Sequence, residues 1–423
     1  MNPSSKDYLP FESDMPIFLH MSAPICPSPG LGRPARLAFV TSTPLCVAEG
    51  SGTYVGISQL ARALERRSIR VQMHAPTWRW PTYTAQRIVF NLLVGRRLRI
   101  GQADWVVGFD LDGFHYGRRK TVPYIASIKG VIADELTNER GIVRAMLRVQ
   151  AICERLAVRR ADAVVSTSRY SRRRIVQAYG VPAAKVVIVP ELIDLSAWTA
   201  EAPPHEDGRA DPPAILTVAH MYPRKNLGLL LNAFARLRDA GQSFRGWIVG
   251  DGPCRRAWER LRDSLALQDR VTFLGTIPRR QLLERYRQAA VFCLPSRQEG
   301  FGIVFLEAMA CGKPIVAARA AAVPETVADG ETGFLVDPDD PEALARALAV
   351  LLRDADLRQG MGEEGRRRVE GYHADRVAGL FLDTVQAALR SLPGSRSQAD
   401  EAIEPSRAPG GHCLARTVAG EGR

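Results

Sequence analysis

The feature that most restricts this chain is an alternation of short apolar runs with amphipathic stretches, laid out twice along its length. In the second half the runs fall at 214–220, 245–249, 271–275, 290–294 and 314–318. Helical periodicity fills 226–240, 253–265, 279–289 and 303–311 between them. Strands alternating with helices at this spacing pair in parallel, with helices on both faces of the sheet. The first half repeats the pattern. Strand signals lie at 35–44, 69–76, 103–114 and 122–130, and a glycine-bearing turn, "AEGSGTYVG" (48–56), precedes an amphipathic helix at 57–67. A long helix at 141–161 carries its arginines largely on one side; "DAVVSTS" and "RYSRRRIVQAYG" give another strand and helix, and "AKVVIVPELID" (184–194) closes the half. Between the halves, "AEAPPHEDGRADPP" (200–213) has the composition of a linker. The expectation is an α/β protein with two doubly wound domains facing one another across a cleft. The first spans 34–195 and the second 214–373, joined by a linker at 196–213, and the last helix, 374–392, is placed to return to the first domain. Residues 1–33 are expected to form a flexible lead and 393–423 a disordered tail, because neither has a sustained apolar face.

Composition narrows the class. With 423 residues, 46% of them hydrophobic, the chain can bury two ordinary cores. Its seven cysteines are scattered without a Cys-x-x-Cys, which fits reduced thiols and offers neither a zinc site nor a disulfide framework. An apolar run of the ~18 residues needed to span a bilayer is missing, and the opening residues are acidic and proline-punctuated, unlike a signal peptide. A cytoplasmic protein is expected. The formal charge is +12, with basic clusters at 96–99, 118–120, 155–160 and 171–174. A solvated face and attraction to an anionic membrane surface both fit this, so peripheral attachment to the inner face of a membrane stays open. Nucleic acid is disfavoured, because no zinc finger or ring of strand-borne aromatics accompanies the charge.

The stretch "SRQEGFGIVFLEAMACGKP" (296–314) sets two carboxylates, Glu299 and Glu307, in an apolar context. A strand ends at Pro295, residues 296–300 form a turn, and Phe301 and Gly302 lead into a helix. Glycines let a backbone approach a ligand closely, and the free N–H groups at a helix start attract anions. A diphosphate above that helix end places Glu299 near an attached sugar and Glu307 where a ribose diol can donate to it. The competing structural reading makes Glu307 the partner of a nearby arginine and Glu299 a polar turn residue. "GSGTYVG" also raises a dinucleotide site, but its spacing is G-x-G-x-x-x-G and the strand that follows ends without an acid, so an NAD oxidoreductase is disfavoured.

The segment from Gln298 to Ala317 resembles the signature of retaining glycosyltransferases with the GT-B fold, glycosyltransferase family 4. The resemblance extends, in order, to "LTVAHMYPRKNLGLLLNAFARL", "WIVGDGP", "VTFLGTIP" and "VPETVADGETGFLVDPDDPEALARAL", and upstream to "ADAVVSTSRYSRRRI" and "VVIVPELIDL". It implies two Rossmann-like domains. Lys225 would hold the donor diphosphate, Glu307 the ribose, and Glu299 the donor sugar. The backbone at Gly300, Phe301, Gly302 and Ile303 would meet sugar and phosphates, and Gly50, Ser51 and Gly52 would close over the phosphates from the first domain. Three positions depart from the family's pattern. Ala219-His220 replaces Gly-Arg, leaving His220 or Arg224 as the second phosphate cation. Lys129 stands where many members have histidine, and is expected to replace that contact, meeting an anionic group on donor or acceptor. "AAAVPE" replaces Gly-Gly before Pro324-Glu325, which stiffens that loop.

"DLD" at 110–112 is not expected to hold a metal like the Asp-x-Asp of other glycosyltransferases, because it lies in the wrong half for donor binding. It reads as acceptor wall or turn. The expected activity is transfer of a sugar from a nucleotide-diphosphate sugar to an acceptor hydroxyl on a glycan, lipid-linked or small molecule. Retention of anomeric configuration is expected, with no metal or other cofactor. An epimerase of the same fold and a non-catalytic nucleotide-sugar-binding protein are the alternatives.

Overall fold

The computed structural model describes residues 34–43, 52–76, 82–97, 103–199 and 211–391. The lead 1–33, Gly50 and Ser51, most of the linker and the tail 393–423 lie outside the described residues. The first domain runs β1 (Arg36–Val40), α1 (Gly52–Arg66), β2 (Arg70–His74), α2 (Tyr83–Arg97), β3 (Trp105–Phe109) and β4 (Tyr124–Ile128). It continues with α3 (Ile132–Glu135), α4 (Gly141–Arg160), β5 (Ala163–Ser166), α5 (Arg169–Tyr179), β6 (Val186–Ile188) and α6 (Ser196–Thr199). The second runs β7 (Ala214–Val218), α7 (Leu227–Asp239), β8 (Arg245–Val249), α8 (Arg255–Ser264), β9 (Val271–Gly275), α9 (Arg279–Gln288) and β10 (Ala289–Leu294). Then follow α10 (Ile303–Ala310), β11 (Ile315–Ala318), α11 (Val323–Thr326), β12 (Gly333–Val336), α12 (Pro341–Arg353), α13 (Ala355–Val369) and α14 (Ala374–Arg390).

Each domain has a six-stranded sheet, ordered β2-β1-β3-β4-β5-β6 in the first and β12-β11-β10-β7-β8-β9 in the second. All the strand pairs are parallel. Strands such as β3 (WVVGF) and β4 (YIASI) are buried at every position, as sheets covered on both faces require. Strand order reverses between β1 and β3 in one sheet and between β10 and β7 in the other. Ligands of such sheets bind outside the carboxyl ends of the strands at these reversals.

Val377, Phe381, Val385 and Leu389 of α14 enter the core of the first domain beside Phe39, Leu60 and Leu64. Full burial of each such side chain contributes roughly 1.5–3 kcal/mol. The chain thus crosses between domains twice, and the crossings are stitched together: Ile193 donates to the Tyr372 carbonyl at 3.0 Å and Ala374 to the Ile193 carbonyl at 2.9 Å.

Three elements differ from the sequence reading. α1 begins at Gly52 rather than 57, absorbing the end of the glycine turn. α2 was not anticipated, since its buried face mixes Phe90 and Val94 with the polar Gln86, Arg87 and Asn91, which hides the apolar period. The start of the linker is ordered, as Ser196–Thr199 is helical and Trp198 packs edge-on against Tyr286 at 5.5 Å.

Candidate active site

Both loops that leave the β7/β10 reversal carry candidate residues. After β7, Pro223–Lys225 make a tight turn, and Asn226 enters α7 with a left-handed φ of 55°. After β10, the backbone N–H of Arg297 donates to the Arg224 carbonyl at 2.8 Å, binding the two loops together. Lys225 Nζ thereby reaches Glu299 Oε1 at 2.6 Å. Their side chains are 13% and 10% exposed. Burial favours the neutral acid, but the Lys225 ammonium and Arg224 guanidinium outweigh it and hold the Glu299 carboxyl below its usual range. Arg224 also spans the cleft to Glu135 of α3, at 3.2 Å.

α10 starts directly beside this pair. Gly302 precedes it with φ 89°, and a Cβ there would sit 2.5 Å from the Phe305 ring, so glycine is needed on both counts. No side chain caps this end, which leaves its first N–H groups facing outward for an anion. Phe301 itself is buried against Tyr372, so only its backbone can serve the site. Glu307 lies one turn into α10, where Tyr286 donates to its Oε2 at 2.9 Å. Burial pushes the Glu307 carboxyl up to about 7, against the opposing pull of Tyr286 and Arg279.

The first domain closes over this half through backbone and hydroxyl groups. The Gly300 carbonyl accepts from Thr167 (3.1 Å), Ser168 (2.8 Å) and Ser171 (3.2 Å). A Cβ on Gly300 would lie 2.6 Å from the Lys129 carbonyl, so the tip of β4 rests against the Glu299 loop. A Cβ on Gly52, at the head of α1, would lie 3.4 Å from Ile303 Cγ2. The starts of α1 and α10 therefore face each other. Glu325 accepts from the N–H groups of Arg169 and Tyr170, both at 2.7 Å, so a carboxylate of the second domain caps a helix of the first.

Two positions that depart from the family's pattern have partners of their own. Lys129 lies beside Gly300 as expected, but its ammonium is bonded to Glu191 at 3.0 Å, with both side chains 9% exposed. Its charge is thus already matched by a carboxylate of its own domain. His220 stacks obliquely on Tyr222 with ring centroids 4.6 Å apart. Partial covering, then the charges of Arg224 and Lys225, lower its pKa, which leaves Arg224 as the candidate for the second cation. Asp112 is buried under Ser42 and Asn91, while Asp110 accepts the Lys129 N–H at 2.9 Å and faces Arg87 at 3.7 Å. Among the described residues no group of three or more metal-ligating side chains converges. The sequence reading missed Glu191, Glu325, Tyr286 and the hydroxyls of "STSRYS". The run of hydroxyls at a strand end was the one visible signal.

Known proteins place both the family and the fold of the chain. The family model described as Glycosyltransferase Family 4 matches residues 50–197, and that for Glycosyl transferases group 1 matches residues 201–368. A D-inositol 3-phosphate glycosyltransferase of Corynebacterium efficiens is 30% identical over 318 residues, covering 71% of this chain and 73% of that protein. The chain belongs to glycosyltransferase family 4. A GDP-mannose-dependent alpha-(1-6)-phosphatidylinositol monomannoside mannosyltransferase of Mycolicibacterium smegmatis is 36% identical over 232 residues, half of this chain. That match spans 59% of the relative's length. A sucrose-phosphate synthase structure from Thermosynechococcus elongatus superposes with a TM-score of 0.70 at 23% identity, covering 84% of this chain and 99% of that one. The family 4 chain therefore has the GT-B arrangement of two Rossmann-like domains.

Proposed function

We propose that this family 4 glycosyltransferase moves a sugar from a nucleotide-diphosphate sugar to an acceptor hydroxyl with retention of configuration. The observation that carries the reading is the meeting of Lys225 and Glu299 at the uncapped start of α10. In this reading the diphosphate rests on the first N–H groups of α10 and takes the Lys225 ammonium from Glu299, which turns to the sugar. Lys225 and Arg224 then face the charge that builds on the leaving group, fixed in place before reaction. Glu307 accepts from the ribose hydroxyls. The bond from anomeric carbon to phosphate oxygen breaks, the acceptor oxygen bonds on the same face, and the departing phosphate oxygen takes the acceptor proton. The protein contributes position and charge, with no dedicated base. The relatives' names, which include a GDP-mannose-dependent mannosyltransferase, support a nucleotide-sugar donor.

The acceptor lies on the first domain's side, at a membrane surface. The outer face of α4 supports this. Ile142 (73% exposed), Val149 and Ile152 (61%) line one stripe at helical spacing, with Arg144, Arg148 and Arg155 exposed beside it. The one carboxylate of α4, Glu154, points inward and is fully buried. An apolar ridge flanked by cations suits an anionic lipid headgroup layer. No helix of the described residues is long and apolar enough to cross a membrane.

Incubating the protein with UDP-glucose or GDP-mannose and a lipid extract tests the transfer. A glycosylated lipid is the expected product, and its anomeric configuration reads out retention. Isomerised donor without transfer would overturn the reading in favour of an epimerase.

A further inference from the structure

Around the start of α10 the two domains form a closed circuit of contacts. Gly52 faces Ile303, Gly300 lies against the Lys129 carbonyl, and Lys129 is bonded to Glu191. Glu191 in turn lies against α1, where a Cβ on Gly56 would be 2.7 Å from its Oε2. Gly56 thus makes room for the carboxylate. The circuit lies against the Glu299 loop, where the proposed function places the transferring sugar, and the inference rests on that reading.

We infer that Lys129 and Glu191 act as one unit that selects a neutral, hydroxyl-bearing donor sugar and rejects an anionic one such as a uronate. The charges argue for this. The diphosphate's cations are Lys225 and Arg224, both on the second domain. The cation of this circuit is Lys129, and Glu191 cancels it at 3.0 Å. A sugar carboxylate placed beside Glu299 would meet Glu191 as a further carboxylate, with the Lys129 charge already matched, and like charges so placed disfavour a ligand. A hydroxyl meets a suitable pair. Glu191 Oε1 receives no hydrogen bond from any described residue, and it can accept one hydroxyl while the ammonium donates to a neighbour. Glu191 comes from "VPELID", the segment that crosses between the domains, so the selecting carboxylate is set by the crossing itself.

The test compares the wild type with Glu191→Gln and with the double variant Lys129→Gln/Glu191→Gln, which keeps a neutral hydrogen-bonding pair. Turnover is measured with UDP-glucose against UDP-glucuronate and with GDP-mannose against GDP-mannuronate. UDP and GDP binding by thermal shift reports the nucleotide site separately. For E191Q the kcat/KM ratio of uronate to neutral sugar should rise about tenfold or more, with nucleoside diphosphate binding unchanged. The double variant, whose pair is again neutral, should return the ratio close to the wild-type value. A merely structural role for the pair would lower both donors equally. An unchanged donor ratio in both variants overturns the assignment of Glu191. Failure of the wild type to bind either nucleoside diphosphate overturns the sugar-transfer reading and this one with it.

Discussion

Lys225 and Glu299, separated by 74 residues in the chain, are bonded at 2.6 Å at the β7/β10 reversal, in surroundings that nearly exclude water. Each is the other's partner, so neither charge is left buried alone. The pair is also easily divided, because a diphosphate offers the ammonium a better-matched anion. A site built this way holds its binding groups in position with their charges satisfied.

Replacing Lys225 by alanine should lower kcat about 10²–10³-fold, the range seen when one stabilising donor is removed from a developing oxyanion. Glu299 would then be a buried carboxylate with only Arg224 nearby, which costs about 1–3 kcal/mol of stability. The double variant K225M/E299Q should recover that stability without recovering turnover. Calorimetric melting and initial rates on the three proteins decide it, and equal melting of K225A and wild type would contradict the pairing.

Glu307 makes nucleotide binding depend on pH. Its carboxyl is raised to about 7 in the folded protein by burial. A carboxyl raised in this way contributes stability that is fully present below its unfolded value of 4.5 and is lost as pH rises through about 7. A ribose diol needs the ionised form as acceptor, so UDP-glucose or GDP-mannose, whose diphosphate diesters do not titrate in this range, should bind more tightly at pH 8 than at pH 6. Tyr286 faces the same carboxyl, and burial pushes its hydroxyl further up, out of that range, so the titration is assigned to Glu307. E307Q should bind weakly with a flat profile between pH 6 and 8. A slope retained in E307Q would assign the effect elsewhere, with Asp110, raised to about 6, the next group to test.

The sequence made the second domain and its half of the site readable because those functions sit on short stretches. One 19-residue segment, directly after a strand, holds the turn, Glu299, the helix start and Glu307. The groups that the first domain contributes are dispersed. Glu191, Lys129 and Gly56 are far apart in the chain, and nothing local marks them as one cluster. Glu325 read only as part of a stiff loop, because the N–H groups that it caps belong to a helix 155 residues earlier. α2 hid for a different reason: its inward face is built for hydrogen bonds, with Arg87 donating to Ser42 at 2.9 Å and to Gln150 at 3.1 Å.

Glu325 is a latch across the cleft. Its two oxygens take the first N–H groups of α5 at 2.7 Å each. Charge-assisted bonds of this type are the stronger kind, and loss of a helix cap costs about 0.5–2 kcal/mol. E325A should shift the domains toward an opened arrangement, increasing the radius of gyration in solution scattering and weakening nucleotide binding, since the halves of the site would part. E325Q, whose amide oxygen can replace one acceptor only, should lie between. Scattering curves that superpose for all three would show that the other contacts at Gly300 suffice.

The outer face of α4 predicts a salt-sensitive attachment. Each basic residue near an anionic surface is worth about 1 kcal/mol, and screening shortens the reach of such charges from about 10 Å at 0.1 M salt to about 3 Å at 1 M. Co-sedimentation with phosphatidylcholine vesicles containing phosphatidylglycerol should capture the protein at low salt and release most of it at high salt. Neutral vesicles should capture little. The variant R144E/R148E should lose binding by at least tenfold, and I142S/I152S should weaken it with less change in salt dependence, separating the electrostatic from the apolar contribution. An equal charge change on the second domain, R256E/R260E on α8, controls for net charge, since both arginines are exposed there. If that control weakens binding as much as R144E/R148E, the attraction is diffuse and α4 is not the docking face.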